Sequence, residues 1–272
     1  MIALVVDVAE DESELAADAL WGLGVVAVEE REGTDGRVEL WTSLGDDVDV
    51  VREAIGSFPS SWRTRFVEVD DAVVDTWREH ATPTWIDAGM VVRPVWVEAD
   101  LPDGVLVLDI EPGATFGMGD HPTTVLSLRS LRAIAAAGGM STVLDVGCGS
   151  GVLAIAALRL GATSAVAVDI SPAAAGTTLD NAERNGVADR LVASTTPLQL
   201  VEGHYDVVLA NILAPALIEL SADLRRVLAP DGTLVISGIL ADRHAHVLAA
   251  LAPLRVVDTL ELDGWVAVTL RR

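Results

Sequence analysis

Residues 143–151 read Val-Leu-Asp-Val-Gly-Cys-Gly-Ser-Gly, an aliphatic run that ends in three alternating glycines. The run has the content of a strand buried on both faces, and an apolar helical pattern follows from Val152. Glycines at such a junction let the backbone approach a ligand closely and leave helix N–H groups free to bind it. Many nucleotide folds share a glycine-rich turn, so the spacing decides. A dinucleotide fingerprint needs glycine at the sixth position of G-x-G-x-x-G. Here that position is Val152, and the pattern is G-x-G-x-G with Asp145 two residues upstream.

Downstream, the strand pattern Ser164–Val168 ends at Asp169, 22 residues after Gly147. A carboxylate there can accept hydrogen bonds from both hydroxyls of a ribose. It could instead cap the helix that starts near Pro172, but Ser171 is available for that cap. The two signals predict a nucleoside ligand. The turn resembles the S-adenosylmethionine motif, so S-adenosylmethionine is the best candidate.

Upstream, residues 111–124 read Glu-Pro-Gly-Ala-Thr-Phe-Gly-Met-Gly-Asp-His-Pro-Thr-Thr, a glycine-rich loop running into a helix with Pro122 near its first position. The loop reads as a lid. Thr123 and Thr124 lie in the first helical turn, where their hydroxyls could reach a ligand carboxylate; the alternative is a connecting loop with Asp120 as the helix cap. Further on, Asn211 follows the strand pattern Asp206–Ala210, and open α/β sheets bind ligands outside the carboxyl ends of their strands. Its amide could accept a hydrogen bond from an attacking amine. Taken alone, it would read as a turn residue.

Other candidates fail. His244 and His246 are two apart on a helical pattern and face different directions, and His80 and His204 are isolated. No metal-ligand spacing appears. Cys148 lies inside the turn with no base beside it and reads as a packing residue.

From residue 105 strands and helices alternate. Strand patterns at Val105–Ile110, Thr142–Val146, Ser164–Val168, Arg190–Ala193, Asp206–Ala210, Gly232–Ser237, Arg255–Glu261 and Trp265–Leu270 are separated by helical patterns at Pro122–Ala136, Val152–Leu160, Ala173–Asn185, Ala214–Leu228 and Arg243–Leu251. Such alternation predicts a parallel sheet covered by helices. The short Leu262-Asp263-Gly264 connection makes the last two strands an antiparallel hairpin. The expected fold class is therefore α/β, a seven-stranded Rossmann-like S-adenosylmethionine-dependent methyltransferase domain over residues 101–272.

Residues 1–70 read differently. Strand patterns at Ile2–Val8, Val25–Glu29, Arg37–Thr42 and Arg63–Val69 and helical patterns at Ser13–Leu23 and Asp47–Ile55 give the order βαββαβ. That order predicts a small α+β ferredoxin-like domain. Residues 71–100, with a helical stretch around Val73–His80, a strand-like Val91–Val97 and Trp77, Trp85 and Trp96 close together, read as a linker packed at a domain junction.

The 272 residues carry 41 acidic and 18 basic side chains, a formal net charge of −23. Every basic residue is arginine. Residues 1–100 hold a net of −16. An acidic front end repels phosphate backbones and argues against direct nucleic-acid docking; it would steer a basic partner. No apolar run approaches the ~18–20 residues of a membrane span. The start lacks the positive leader of a signal peptide. A single cysteine excludes an internal disulfide and fits a reducing, cytoplasmic setting.

The blocks Thr115–Thr124 (TFGMGDHPTT), VLDVGCGSGVLAIAALRLGA with VAVDISP and DNAERNG, and VVLANILAP followed by SGIL together resemble the bacterial ribosomal protein L11 methyltransferase family. The resemblance runs from about Val73 to Arg272. Met118 and Glu111 depart from the family's usual threonine and aspartate. It implies a protein-lysine methyltransferase that uses S-adenosylmethionine and has a small N-terminal recognition domain. Carried over by position, the cofactor contacts fall on Thr124, Gly147, Asp169 and Asn211, with Asp145, Gly149, Gly151, Phe116 and Gly117 beside them in the same motifs. Asn211 is the expected catalytic residue. The implied partner is a basic ribosomal protein, L11. Other readings are the same transfer to another basic protein or a small amine, or a binding module without catalysis. A nucleobase methyltransferase is disfavoured, because Asn211 is not followed by Pro-Pro-aromatic.

Overall fold

The computed structural model describes residues 2–23, 25, 28–42, 48–68, 81–111 and 119–272. The chain divides into two units, Met1–Ala81 and Thr82–Arg272.

The first unit contains β1 (Ile2–Ala9), α1 (Ser13–Gly22), β2 (Glu29–Glu32), β3 (Arg37–Thr42), α2 (Val48–Ala54) and β4 (Arg63–Glu68). The sheet order is β2-β3-β1-β4, with every neighbouring pair antiparallel. This is the expected βαββαβ element order. Alternate residues Leu4, Val6 and Val8 of β1 meet Ala16 and Leu20 of α1 in a core with Leu40, Val51 and Trp62. The strand expected at Val25–Glu29 instead occupies Glu29–Glu32. The tight turn at Asp35 and Gly36, both at positive φ, sets that register, pairing Glu32 with Val38 and Glu29 with Trp41.

The second unit begins with β5 (Thr84–Asp87), β6 (Met90–Pro94) and β7 (Leu106–Ile110), a three-stranded sheet with β5–β6 antiparallel and β6–β7 parallel. The linker expected over 71–100 is thus corrected. Its residues from 82 onward belong to this unit, with Met90 and Val92 buried in the unit's core. The helical stretch at Val73–His80, with Trp77, lies outside the described residues, and Trp85 is 43% exposed. Val105–Ile110 joins this small sheet and not the large one.

There follow α3 (Pro122–Ala137), β8 (Thr142–Val146), α4 (Val152–Arg159), β9 (Ser164–Val168), α5 (Pro172–Arg184), β10 (Leu191–Ser194) and β11 (Tyr205–Asn211). The chain continues through α6 (Ala214–Glu219), α7 (Ser221–Val227), β12 (Leu228–Leu240), α8 (Ala245–Ala250), β13 (Arg255–Leu262) and β14 (Trp265–Arg271). The seven-stranded sheet has the order β10-β9-β8-β11-β12-β14-β13. Its first five strands are parallel, and β14 runs antiparallel to both of its neighbours.

The aliphatic runs follow from two-sided burial. Val143, Val207, Leu209 and Val235 face a core built with α3 and α4, while Leu144, Val208, Leu234 and Ile236 face one built with α6, α7 and α8. The helix expected over Ala214–Leu228 is interrupted at Leu220, where ψ is near 1°. Among the described residues no helix is long and apolar enough to cross a membrane. Chain order reverses between β8 and β11, so the crevice beyond their carboxyl ends is the switch point where such sheets bind ligands.

Candidate ligand site at the carboxyl ends of the central strands

The turn after β8 has Gly147, Gly149 and Gly151 at positive φ, a conformation that strains any residue with a Cβ. Two N–H groups, those of Gly147 and Cys148, donate to the Val168 carbonyl at 2.8 and 3.2 Å, tying the turn to the end of β9. A Cβ on Gly147 would overlap Ile212 Cγ2, and one on Gly151 would lie 2.7 Å from Thr178 Cγ2. The turn is therefore wedged between the segment after β11 and helix α5.

Asp169 is oriented by two backbone donors. Gly149 N–H donates to Oδ2 at 3.0 Å and Ser171 N–H to Oδ1 at 2.9 Å. Ser171 makes no side-chain cap to α5, contrary to expectation. The carboxylate thus locks the glycine turn to the start of α5, and its remaining lone pairs can receive donors from a ligand. Ile170, missed by the sequence reading, is 90% exposed beside it. An apolar side chain left in water next to a fixed carboxylate is a signal that sequence carries only once Asp169 is placed.

Asp145 is 1% exposed. Its Oδ2 accepts from Ala154 N–H at 3.1 Å in the first turn of α4, but its Oδ1 has no partner among the described residues. Burial, with the Asp169 charge adding to it, pushes its pKa from 3.8 to about 7. The unfolded chain ionises this group first, so its contribution to stability is present at pH 4 and is lost as pH rises to about 7. Asp145→Asn should therefore gain in Tm relative to wild type across that interval and level off above it. Melts from pH 4 to 8 check this, and a constant difference would mean that Asp145 ionises normally in the fold.

Cys148 is buried, which pushes its thiol pKa up, and its Sγ lies 3.3 Å from the Thr178 hydroxyl oxygen. That environment suits packing, not nucleophilic attack.

Across the crevice, α3 is capped by His121 and not by Asp120. The His121 Nδ1 accepts from Thr123 N–H at 3.3 Å and lies 2.8 Å from Thr123 Oγ1. Thr123 is thus engaged in the cap. Thr124, buried in the same turn, meets Asn211 at the end of β11, whose Nδ2 donates to Thr124 Oγ1 at 3.5 Å. That contact turns Nδ2 toward α3 and Oδ1 away from it. Ile212, the next residue, is the one that packs against Gly147. The structure therefore brings Thr124, Asn211, Gly147, Gly149, Gly151, Asp145 and Asp169 to one crevice. Phe116 and Gly117 lie outside the described residues. Among those described, no group of three or more His, Cys, Asp or Glu could hold a metal ion.

A doubly wound parallel sheet with a G-x-G-x-G turn, a strand ending in a carboxylate and a closing antiparallel hairpin defines the class of S-adenosylmethionine-dependent methyltransferase folds. The family model described as Ribosomal protein L11 methyltransferase (PrmA) matches residues 53–272, and the chain belongs to that family. A protein of that name from Geobacter sp. (strain M21) is 45% identical over 202 residues, 73% of this chain and 66% of its own length. Another, from Chromohalobacter salexigens, is 38% identical over 256 residues, 88% of this chain and 85% of its own. The crystal structure of ribosomal protein L11 methylase from Lactobacillus delbrueckii subsp. bulgaricus superposes with a TM-score of 0.64 at 30% identity, covering 71% of this chain and 98% of that one. Against the Geobacter relative the chain spans just under two thirds of the relative's length.

Proposed function

We propose that the chain is an S-adenosylmethionine-dependent protein N-methyltransferase that acts on lysine amines, and on an N-terminal amine where one is presented, of ribosomal protein L11. The observation that carries this reading is the approach of Asn211 to Thr124 beside the glycine turn, in a chain of this family. The residues present fit the cofactor. Asp145 keeps a buried oxygen that no described group satisfies. The glycines form a cradle that a Cβ would obstruct, and Asp169 with Ile170 offers a carboxylate and apolar surface suited to a nucleoside.

When bound, S-adenosylmethionine supplies a methyl group already activated on its sulfonium. The chain's own work is placement, and alignment in a crevice can contribute several kcal/mol. A free lysine has a pKa of about 10.4, so the acceptor must be delivered neutral, and desolvation in the crevice favours that form. Asn211 Oδ1, directed away from Thr124, accepts an N–H of the amine and orients its lone pair.

Purified enzyme, labelled cofactor and separated ribosomal proteins provide the test. Label on L11 is expected. Label only on another basic protein or a small amine would move the acceptor, and cofactor binding without any transfer would leave a binding module.

The first unit is read as the recognition domain for this basic acceptor. Part of its acidity is neutralised on one sheet face, where Arg37 pairs with Asp7 and Arg65 with Glu39. Glu30, Glu32 and Glu53 stay exposed. Reversing these three to arginine should raise KM for the protein acceptor by about tenfold at low salt, leaving kcat and the cofactor KM unchanged. An unchanged acceptor KM would return the charge to solubility alone.

A further inference from the structure

Helix α5 and its C-cap residue present two buried asparagines one turn apart, Asn181 and Asn185, to the edge of β7 that β6 leaves unpaired. Each treats that edge as a neighbouring strand would. Asn185 accepts from Asp109 N–H at 3.0 Å and donates to Asp109 O at 2.7 Å. Asn181 does the same at Glu111, at 3.0 and 2.8 Å. A carboxamide carries one donor and one acceptor side by side, as a peptide does. Four residues along a helix advance about 6 Å and two along a strand about 6.6 Å, so the two pairs stay in register.

The two residues differ in their remaining hydrogen. Asn185 returns its second Nδ2 hydrogen to the Asn181 carbonyl of its own helix, at 2.8 Å. Asn181 donates its second one to the Ser150 carbonyl, inside the glycine turn, at 2.9 Å. One turn earlier on the same helix, Thr178 donates to the Gly149 carbonyl at 3.1 Å. Consecutive carbonyls of the turn are thus held from the α5 side. The Ser150–Gly151 peptide is gripped at both ends, since its N–H donates to Cys148 O at 2.8 Å. Asn181 and Ser150 are both 0% exposed, so no solvent can replace the contact.

We propose that Asn181 is a positioning residue for the cofactor. It sets the Ser150–Gly151 peptide plane, and with it the shape of the glycine cradle, at a fixed height above β7, whereas Asn185 only fastens the strand. The proposal rests on the reading of residues 147–151 as the cofactor cradle. Its experiment separates the two ideas by titrating S-adenosylhomocysteine into wild type, Asn181→Ala and Asn185→Ala, with ligand-free melts of each.

Both variants should lose Tm by comparable amounts, because each releases one backbone residue, Glu111 just past β7 or Asp109 within it. Only Asn181→Ala should weaken S-adenosylhomocysteine, by about tenfold. In turnover it should raise KM for S-adenosylmethionine by about the same factor while kcat at saturation stays within about threefold. A purely structural role would reduce the amount of active protein and leave KM alone. Equal affinities in the two variants would overturn the proposal, while a wild type that binds no ligand would overturn the functional reading and the proposal with it. If Asn181→Ala does not fold, hydrogen exchange in the wild type decides. Ligand should slow the Glu111 amide, bonded to Asn181, more than the Asp109 amide, bonded to Asn185, and equal slowing would reject the coupling.

Discussion

Replacing Asn211 with alanine is expected to lower kcat by about 10²-fold while S-adenosylmethionine affinity changes by less than about threefold. The asymmetry follows from where the amide is held. Its protein contact, to Thr124 Oγ1, is at the long limit of a hydrogen bond at 3.5 Å, so losing it costs little stability. Its oxygen, directed away from Thr124, can act on an amine only once one has arrived, so its value is realised in the reacting complex and not in cofactor binding. Single-turnover rates with calorimetry on the same preparation check both halves. An unchanged rate would remove Asn211 from the chemistry, and an equal loss of affinity and rate would make it a cofactor ligand alone.

Gly238→Ala should be the most damaging small substitution in the second unit, costing about 3 kcal/mol or more. Gly238 lies in β12 at φ +85°, where a Cβ is already strained. The added methyl would also overlap the backbone of Ile212, whose carbonyl carbon would be 2.8 Å away and whose nitrogen would be at 3.2 Å. Backbone cannot swing aside as a side-chain tip can. Any relief must move Ile212, which carries Asn211 on one side and packs on Gly147 on the other. The fraction that folds should therefore also lose turnover. Gly264→Ala is the comparison, with the same strain at φ +78° and nothing within 4 Å of the new methyl. For a unit of this size, about 3 kcal/mol corresponds to a fall in Tm of roughly 10 °C, and Gly264→Ala should fall by about a third as much. Equal losses in the two would show that strain, not crowding of Ile212, sets the cost.

Much of the site was legible because its chemistry is local. The turn at 147–151, Asp169 and Asn211 each follow directly on an aliphatic strand, and strand ends are where a doubly wound sheet collects its ligands. Helix caps were less legible. Ser171 and Asp120 have the right residue type for capping, yet Asp169 takes the Ser171 N–H and His121 caps α3. Residue preference is a weak guide where a neighbour has the better geometry. The short strands β5 and β6 read as a linker because β6 pairs with a strand that begins twelve residues beyond it. Asn181 and Asn185 stood inside a quoted block, DNAERNG, but their partners at Glu111 and Asp109 lie about seventy residues upstream. Nothing in the spacing of one helix announces such a bond.

The placement of β14 between β12 and β13 has a consequence for the order in which the sheet can be completed during synthesis. A chain emerging from its N-terminal end makes β8 to β12 first, and each strand after β8 can pair with one already present. β13 comes next but has no neighbour to join, since it touches the sheet only through β14. Until β14 emerges, β12 presents a bare edge, the kind of surface that invites pairing with another chain. The strand of this sheet that comes last in chain order is thus the one that covers that edge and gives β13 its place.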